Sequence, residues 1–378
     1  MGIGTCDPKE FQSQYREVAV PKVMIVVVVR ISPMPAPVMT LDRFQRRVAR
    51  LPRVDLAHLP TPLEEVPRFA EQVGPVRIFI KRDDCTGLLF GGNKARHNEF
   101  LLADALYQNC DMVVWGAGVQ SNNCRQTAAG CAKLGLECRL FLSKGHYSLE
   151  PQGNLLLDYL VNAKVEFVDA AMGPELDALL QEKADEFRSM GRRPYVWDRS
   201  RVVPRAAVSY ALCIAEIMQQ MQQMDLRADA VYVSSSGSTG AGCALGKAVL
   251  GLTCPVRSIC PMRWPWDIRQ ALADTANQAA MLLDLPHRLT RSEIETNEDY
   301  IAPGYGQISP AGRDAMRLLA ETEGILLDPI YTAKAMAALI DDVRLQRIPA
   351  GSVVVFIHTG GLPAVFAYRD QMLPVVPN

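Results

Sequence analysis

Short apolar runs that alternate with helical patterns constrain this chain of 378 residues more than any single motif does. The strand-like runs are Arg77 to Lys81, Met112 to Trp115, Cys138 to Leu142, Lys164 to Val168, Ala230 to Val233, Val256 to Cys260 and Ser352 to Ile357. Helical patterns between them include Leu176 to Met190, Ala206 to Met224 and Ser309 to Glu323. Strands that read as nearly continuous apolar runs are those buried on both faces. Strands and helices in alternation place helices on both faces of a parallel sheet. The expected class is therefore α/β, with open twisted parallel sheets. Met218, Met221 and Met224 fall at helical spacing and read as core. The length can bury a large core and predicts two domains or one large one.

Composition narrows the function. A formal net charge of −1 and a pI of about 6.5 give no electrostatic case for nucleic acid. The ten cysteines form no Cys-x-x-Cys pair and read as reduced intracellular thiols. The five histidines show no metal-ligand spacing, so no metal is expected. The apolar run Met24 to Val29 is too short to span a bilayer. Residues 1–38 read as a flexible or non-native extension and Met39 as a possible start, which places the protein in the cytoplasm with no membrane partner.

Three polar stretches sit where chemistry would. Gly91-Gly92-Asn93-Lys94 lets the backbone approach a ligand and puts a lysine at the head of a helix expected over Lys94 to Tyr107, with Asn93 as cap. A desolvated lysine there has a lowered pKa and suits imine chemistry, whereas a solvated one would be an ordinary surface charge. Gln120-Ser121-Asn122-Asn123 follows the strand ending at Trp115, at a strand-to-helix switch where α/β sheets bind ligands and where helix caps also occur. Ser234 to Gly242 follows another strand and opens a helix, offering hydroxyls and backbone N–H groups to a single phosphate. It has neither a Walker A ending nor a Gly-x-Gly-x-x-Gly pattern, so a dinucleotide fits poorly.

With these stretches the chain resembles the D-cysteine desulfhydrase and 1-aminocyclopropane-1-carboxylate deaminase family, pyridoxal-phosphate enzymes of fold type II, similar to the tryptophan synthase β-subunit. The resemblance runs from about Leu51 to Tyr368. It includes Leu59-Pro60-Thr61-Pro62-Leu63, Phe79 to Asp84, Pro303-Gly304-Tyr305-Gly306, Leu327 to Ala335 and His358-Thr359-Gly360-Gly361. It implies a cofactor cleft between a large domain (39–98 and 204–378) and a small one (99–203), in a homodimer. By resemblance, Lys94 carries the imine to pyridoxal 5'-phosphate and moves a proton at the substrate α-carbon. Asn122 bonds the cofactor's 3'-oxygen, and Ser236, Gly237, Ser238, Thr239 and Gly240 hold its phosphate. Gln120, Ser121 and Asn123 face the substrate, Ser121 also in a catalytic role. Tyr305 and Tyr331 line the active site, one near the ring and one able to exchange a proton.

Thr332 and Thr359 bear on the reaction. The cyclopropane deaminases carry glutamate at the position of Thr332, against the pyridine nitrogen, and leucine at that of Thr359. A carboxylate keeps that nitrogen protonated and threonine cannot. The two threonines therefore favour α,β-elimination from a small β-substituted amino acid, giving pyruvate and ammonia. β-Substitution, ring opening of the cyclopropane, and a binding protein without turnover are the alternatives. The chain departs from the family at Ser200 to Tyr210, where a glycine-rich loop is replaced by a stretch bearing Arg201 and Arg205. Arg205 is accordingly expected to meet an anionic part of the substrate, or else to be a solvated surface charge.

Overall fold

The structure, a computed structural model, describes residues 39–145 and 148–372. The reading of residues 1–38 as an extension lies outside the described residues. Ten strands are present among those described: β1 (Leu63–Glu65), β2 (Arg77–Lys81), β3 (Met112–Gly118), β4 (Glu137–Ser143), β5 (Lys164–Val168), β6 (Pro194–Val196), β7 (Ala230–Ser234), β8 (Val256–Ile259), β9 (Glu295–Asn297) and β10 (Val353–Ile357). They form a six-stranded sheet ordered β1-β2-β10-β7-β8-β9 and a four-stranded sheet ordered β5-β4-β3-β6. Every pairing is parallel except β1 with β2. The α/β class with parallel sheets is as the alternating pattern predicts.

Hydrophobicity sets the strand order. β10 reads Val-Val-Val-Phe-Ile, is buried at all five positions and runs between β2 and β7. A strand covered on both faces needs such a run. β9 and β1 are short, only partly buried and at the edges, which limits exposed pairing groups. Separate apolar clusters cover the two faces of the large sheet, one including Phe79, Val231 and Val355, the other Ile78, Tyr232 and Phe356. The alternation of neighbouring residues between clusters follows the period of two along each strand.

Two helices position the site. The helix Arg199–Gln223 crosses the helix Ser238–Leu250, and Gly242 permits the close approach. A Cβ at Gly242 would collide with the Ala207 carbonyl and lie 2.7 Å from the Tyr210 Cβ. This contact fixes the start of the second helix at the carboxyl end of β7. The first helix begins at Arg199, not at Ala206 as its pattern predicts. Asp198 caps it, its carboxylate accepting from the Ser200 amide at 3.0 Å. Pro204 lies inside this helix, past its first turn, and cannot donate to the Ser200 carbonyl, so its ring suggests a break in sequence that the structure does not show. The stretch Ser200 to Arg205, which precedes the expected helix, is therefore helix as well.

A buried polar cluster ties β2 to both the lysine helix (Asn93–Tyr107) and the long helix. Arg96 donates to both oxygens of Asp83 at 2.8 Å and to both of Glu216 at 2.7 and 2.8 Å. Tyr210 donates to Asp83 at 2.6 Å, and Lys81 pairs with Glu216 at 3.0 Å. Burial opposes ionisation of Asp83, but the guanidinium of Arg96 outweighs it and holds the carboxyl below its ordinary range.

Candidate active site

Lys94 follows a turn whose backbone only glycine adopts easily. Gly91 has φ +63° and Gly92 φ +123°. A Cβ on Gly91 would strike the Asp84 carbonyl, and one on Gly92 would lie 2.5 Å from the Gln126 Nε2. The turn is clamped from several sides. Gln126 donates to the Gly91 carbonyl at 2.8 Å, Arg125 to the same oxygen at 3.1 Å, and the Gly92 amide to the Thr86 hydroxyl at 2.7 Å. The helix begins at Asn93, with Gly92 as its cap residue. Asn93 donates through Nδ2 to the Thr239 hydroxyl at 2.9 Å, joining the lysine turn to the serine-rich loop.

One cavity gathers Lys94 with Ser121, Asn122, Asn123, Ser234 to Thr239, Tyr305, Tyr331 and Thr359. Lys94 is half-buried and lines this cavity. Burial lowers its pKa from 10.5 to about 8. Nearby His97 is driven well below its usual range by burial and by the charges of Lys94 and Arg96, so it stays neutral. The hydroxyls of Tyr305 and Tyr331 are hydrogen-bonded to each other, with ring centroids 5.9 Å apart. Lys334 holds the loop carrying Tyr305, its Nζ donating to the Ile301 and Gly304 carbonyls at 2.8 Å each.

The donor set fits pyridoxal phosphate. Gly237 is the cap residue of the helix Ser238–Leu250 and has no side chain to cap it; of the first three N–H groups, that of Gly240 meets the Ser235 hydroxyl. The space beside Gly237 is open for at least 4 Å, and the buried Ser234 hydroxyl has no partner within the protein. Free amides and hydroxyls at a helix N-terminus suit one phosphate. Asn122 opens the next helix on the same cavity, its Oδ1 accepting from Asn154 at 3.0 Å. Ser121 caps that helix, accepting from the Asn123 and Cys124 amides at 3.2 Å. Cys124 is fully buried in the core, and burial pushes its thiol up, away from reactivity.

Four residues singled out from the sequence do not line this cavity. Arg205 does not line the cavity: it pairs with Asp104 at 3.1 Å, and Arg201 meets the same carboxylate at 3.6 Å. Both arginines stand one helical turn apart, which puts them on one face. Gln120 is turned to the 152–154 segment, donating to the Gln152 carbonyl at 3.0 Å and accepting from the Asn154 amide at 2.9 Å. Gly240 lies within the helix, its amide donating to the Ser235 hydroxyl at 2.8 Å. Thr332 is fully buried and its hydroxyl donates to Asp328 at 2.7 Å, while Thr359 lines the cavity. Sequence reasoning missed Ser234 and Ser235 as lining residues, although they begin the loop it singled out. It also missed Asp177, Trp197, Arg199 and Trp264, which line the same cavity from separate segments.

Comparisons with known proteins point to the same cofactor. The family described as "Pyridoxal-phosphate dependent enzyme" matches residues 54–360. The D-cysteine desulfhydrase of Klebsiella pneumoniae subsp. pneumoniae is 40% identical over 332 residues, spanning 86% of this chain and 99% of that protein. That of Salmonella typhi is 40% identical over 329 residues, spanning 86% and 98%. A solved structure titled as an ACC deaminase homologue superposes with a TM-score of 0.80 at 33% identity, covering 87% of this chain and 98% of that one. O-ureido-L-serine synthase, at 17% identity and a TM-score of 0.62 over 92% of this chain and 98% of its own, shares the fold. A family match over most of the chain, on a cavity whose donors fit the cofactor, places this protein in the pyridoxal-phosphate dependent enzyme family.

Proposed function

We propose that this enzyme catalyses α,β-elimination on a small β-substituted amino acid, releasing pyruvate, ammonia and the β-substituent. The observation that carries the reading is a lysine in one cavity with a phosphate cradle and a tyrosine pair, its amine made less basic by burial. Bound pyridoxal phosphate supplies an electron sink that acidifies the substrate α-carbon. Lys94 bears the cofactor and, as a neutral amine, takes the α-proton. Tyr305 and Tyr331, joined through their hydroxyls, offer a proton to the departing group. Ser121 and Asn123 receive the substrate carboxylate, Asn122 orients the ring, and Ser235 to Thr239 hold the phosphate.

Elimination is favoured over ring opening by the charges on the cavity wall. Among the described lining residues the charged ones are Lys94, Asp177 and Arg199. Asp177 accepts from Arg199 at 3.0 Å and so is committed to that pair. Thr359 offers the ring a neutral hydroxyl. The same reading takes 99–203, which holds β3 to β6, as a small domain, and the enzyme as a cytoplasmic homodimer. The test is pyruvate release from D-cysteine, L-cysteine and β-chloroalanine by the purified holoenzyme, with loss of turnover in Lys94→Ala. Faster consumption of 1-aminocyclopropane-1-carboxylate than of every β-substituted alanine would refute it.

A further inference from the structure

The cavity has a wall that cleavage of cysteine itself leaves without a purpose. Beyond the cofactor cradle its lining includes Met172, Leu176, Trp197, Val203 and Trp264, a surface much larger and more apolar than a thiol needs. The wall is built rather than incidental. The Trp197 Nε1 donates to Asp177 at 2.9 Å, and Arg199 donates to the same carboxylate at 3.0 and 3.3 Å. The Arg199 guanidinium lies 5.1 Å from the Trp264 ring centre, 5.6 Å from that of Trp197 and 5.7 Å from that of Trp266. Trp264 stacks on Trp266 at 4.7 Å and donates from its Nε1 to the Ser236 hydroxyl at 3.0 Å.

Every polar group named on this wall is therefore committed. The carboxylate and the guanidinium neutralise each other, and both indole N–H groups have acceptors. What remains toward the cavity is ring surface and aliphatic carbon. Such a surface gains from covering by another flat apolar group and gives an anion no unpaired cation to meet.

We infer that this wall is a specificity subsite for a neutral aromatic or bulky apolar group on the substrate's β-sulfur, so that the preferred substrates are S-aryl- or S-aralkyl-cysteines. The inference rests on the elimination reading above and names its substrate class. The reaction balances without oxidant or metal. The α-proton leaves, the Cβ–S bond breaks with its electron pair going to sulfur, and the thiolate takes a proton to depart as an organic thiol. The three-carbon remainder takes up one water and ends as pyruvate and ammonium.

The test compares pyruvate release from S-benzylcysteine and from cysteine, each in both enantiomers, by the holoenzyme. The better S-benzyl enantiomer is expected to exceed the better cysteine enantiomer at least tenfold in kcat/KM. Trp264→Ala should cut that ratio by tenfold or more, mostly through KM, while Trp264→Phe keeps it. Taking the ratio cancels any common loss of folding or cofactor. Val203→Glu sets a charge on the same wall from the helix Arg199–Gln223 and should cut the ratio likewise. A wild type that prefers cysteine, or a ratio unchanged in Trp264→Ala and Val203→Glu, overturns the subsite. If cysteine or β-chloroalanine yields pyruvate and S-benzylcysteine does not, the subsite falls and elimination stands. If none yields pyruvate, both fall.

Discussion

Replacing Lys94 by methionine should stabilise the cofactor-free protein near neutral pH while abolishing its activity. The chain keeps a flexible side chain of similar reach and loses the charge. Unfolded, the amine takes its proton at 10.5; folded, burial lowers this to about 8. Below pH 8 both states hold the proton, and the folded state carries the full cost of enclosing it. Between 8 and 10.5 the folded protein sheds the proton while the unfolded chain keeps it, so the stability of the wild type climbs with pH. The displacement corresponds to about 3 kcal/mol. Water in the cavity reaches the ammonium and screens part of this, which leaves a gain of roughly 1–3 kcal/mol for the methionine variant. Urea unfolding of both proteins, stripped of cofactor and in phosphate-free buffer, would measure it near pH 6.5, 8 and 9.5. The variant should lead at the lowest pH, and its lead should narrow at the highest. Equal midpoints near pH 6.5, or a lead that ignores pH, would refute the argument that burial alone sets the basicity of this amine.

Two other variants separate structural charges from those of the site. Arg96→Leu leaves Asp83 buried with Tyr210 and Thr61 but without its cationic partner and should cost about 3–5 kcal/mol by denaturant unfolding. A loss under 1 kcal/mol would mean that water or Lys81 takes over. Arg205→Ala removes one of the two arginines paired with Asp104, whose carboxylate also accepts from Tyr195 and Gln108, so kcat/KM for any amino acid should change less than about twofold, with a drop in stability of roughly 1 kcal/mol. A tenfold rise in KM specific to an anionic substrate would restore Arg205 to the substrate site.

The strands were the most legible part of the sequence. β2 and β5 have the limits their runs predict, β2 as a strand buried at four of five positions and β5 as an edge strand in which Val165, Phe167 and Val168 alternate with or adjoin exposed polar positions. β1, β6 and β9, three residues each, carry too little pattern to be seen. The start of the helix at Arg199 was hidden by Pro204 and by arginines whose partner, Asp104, lies far away in sequence. The lysine turn and the phosphate loop were readable because each is one continuous segment with its chemistry in order. The aromatic wall is assembled from Asp177, Trp197, Arg199 and Trp264, and no local spacing announces it. Gln120 and Thr332 misled in another way. Their neighbours do line the cavity, but a single side chain's direction depends on the backbone groups it satisfies.

The tryptophans carry one more consequence. The chain has four, and in the structure they form one connected group. Trp115 meets Trp197 edge-on at 4.8 Å, Trp264 stacks on Trp266, and Arg199 bridges Trp197 to both of the latter. Light absorbed at the red edge of the protein spectrum is thus taken up almost wholly beside the cavity. The emission of the whole molecule reports on a single neighbourhood, with no label attached. A cofactor that absorbs in the near ultraviolet would draw energy from these rings over so short a span. Its arrival would dim the protein's own glow, and the protein can serve as the gauge of its own filling.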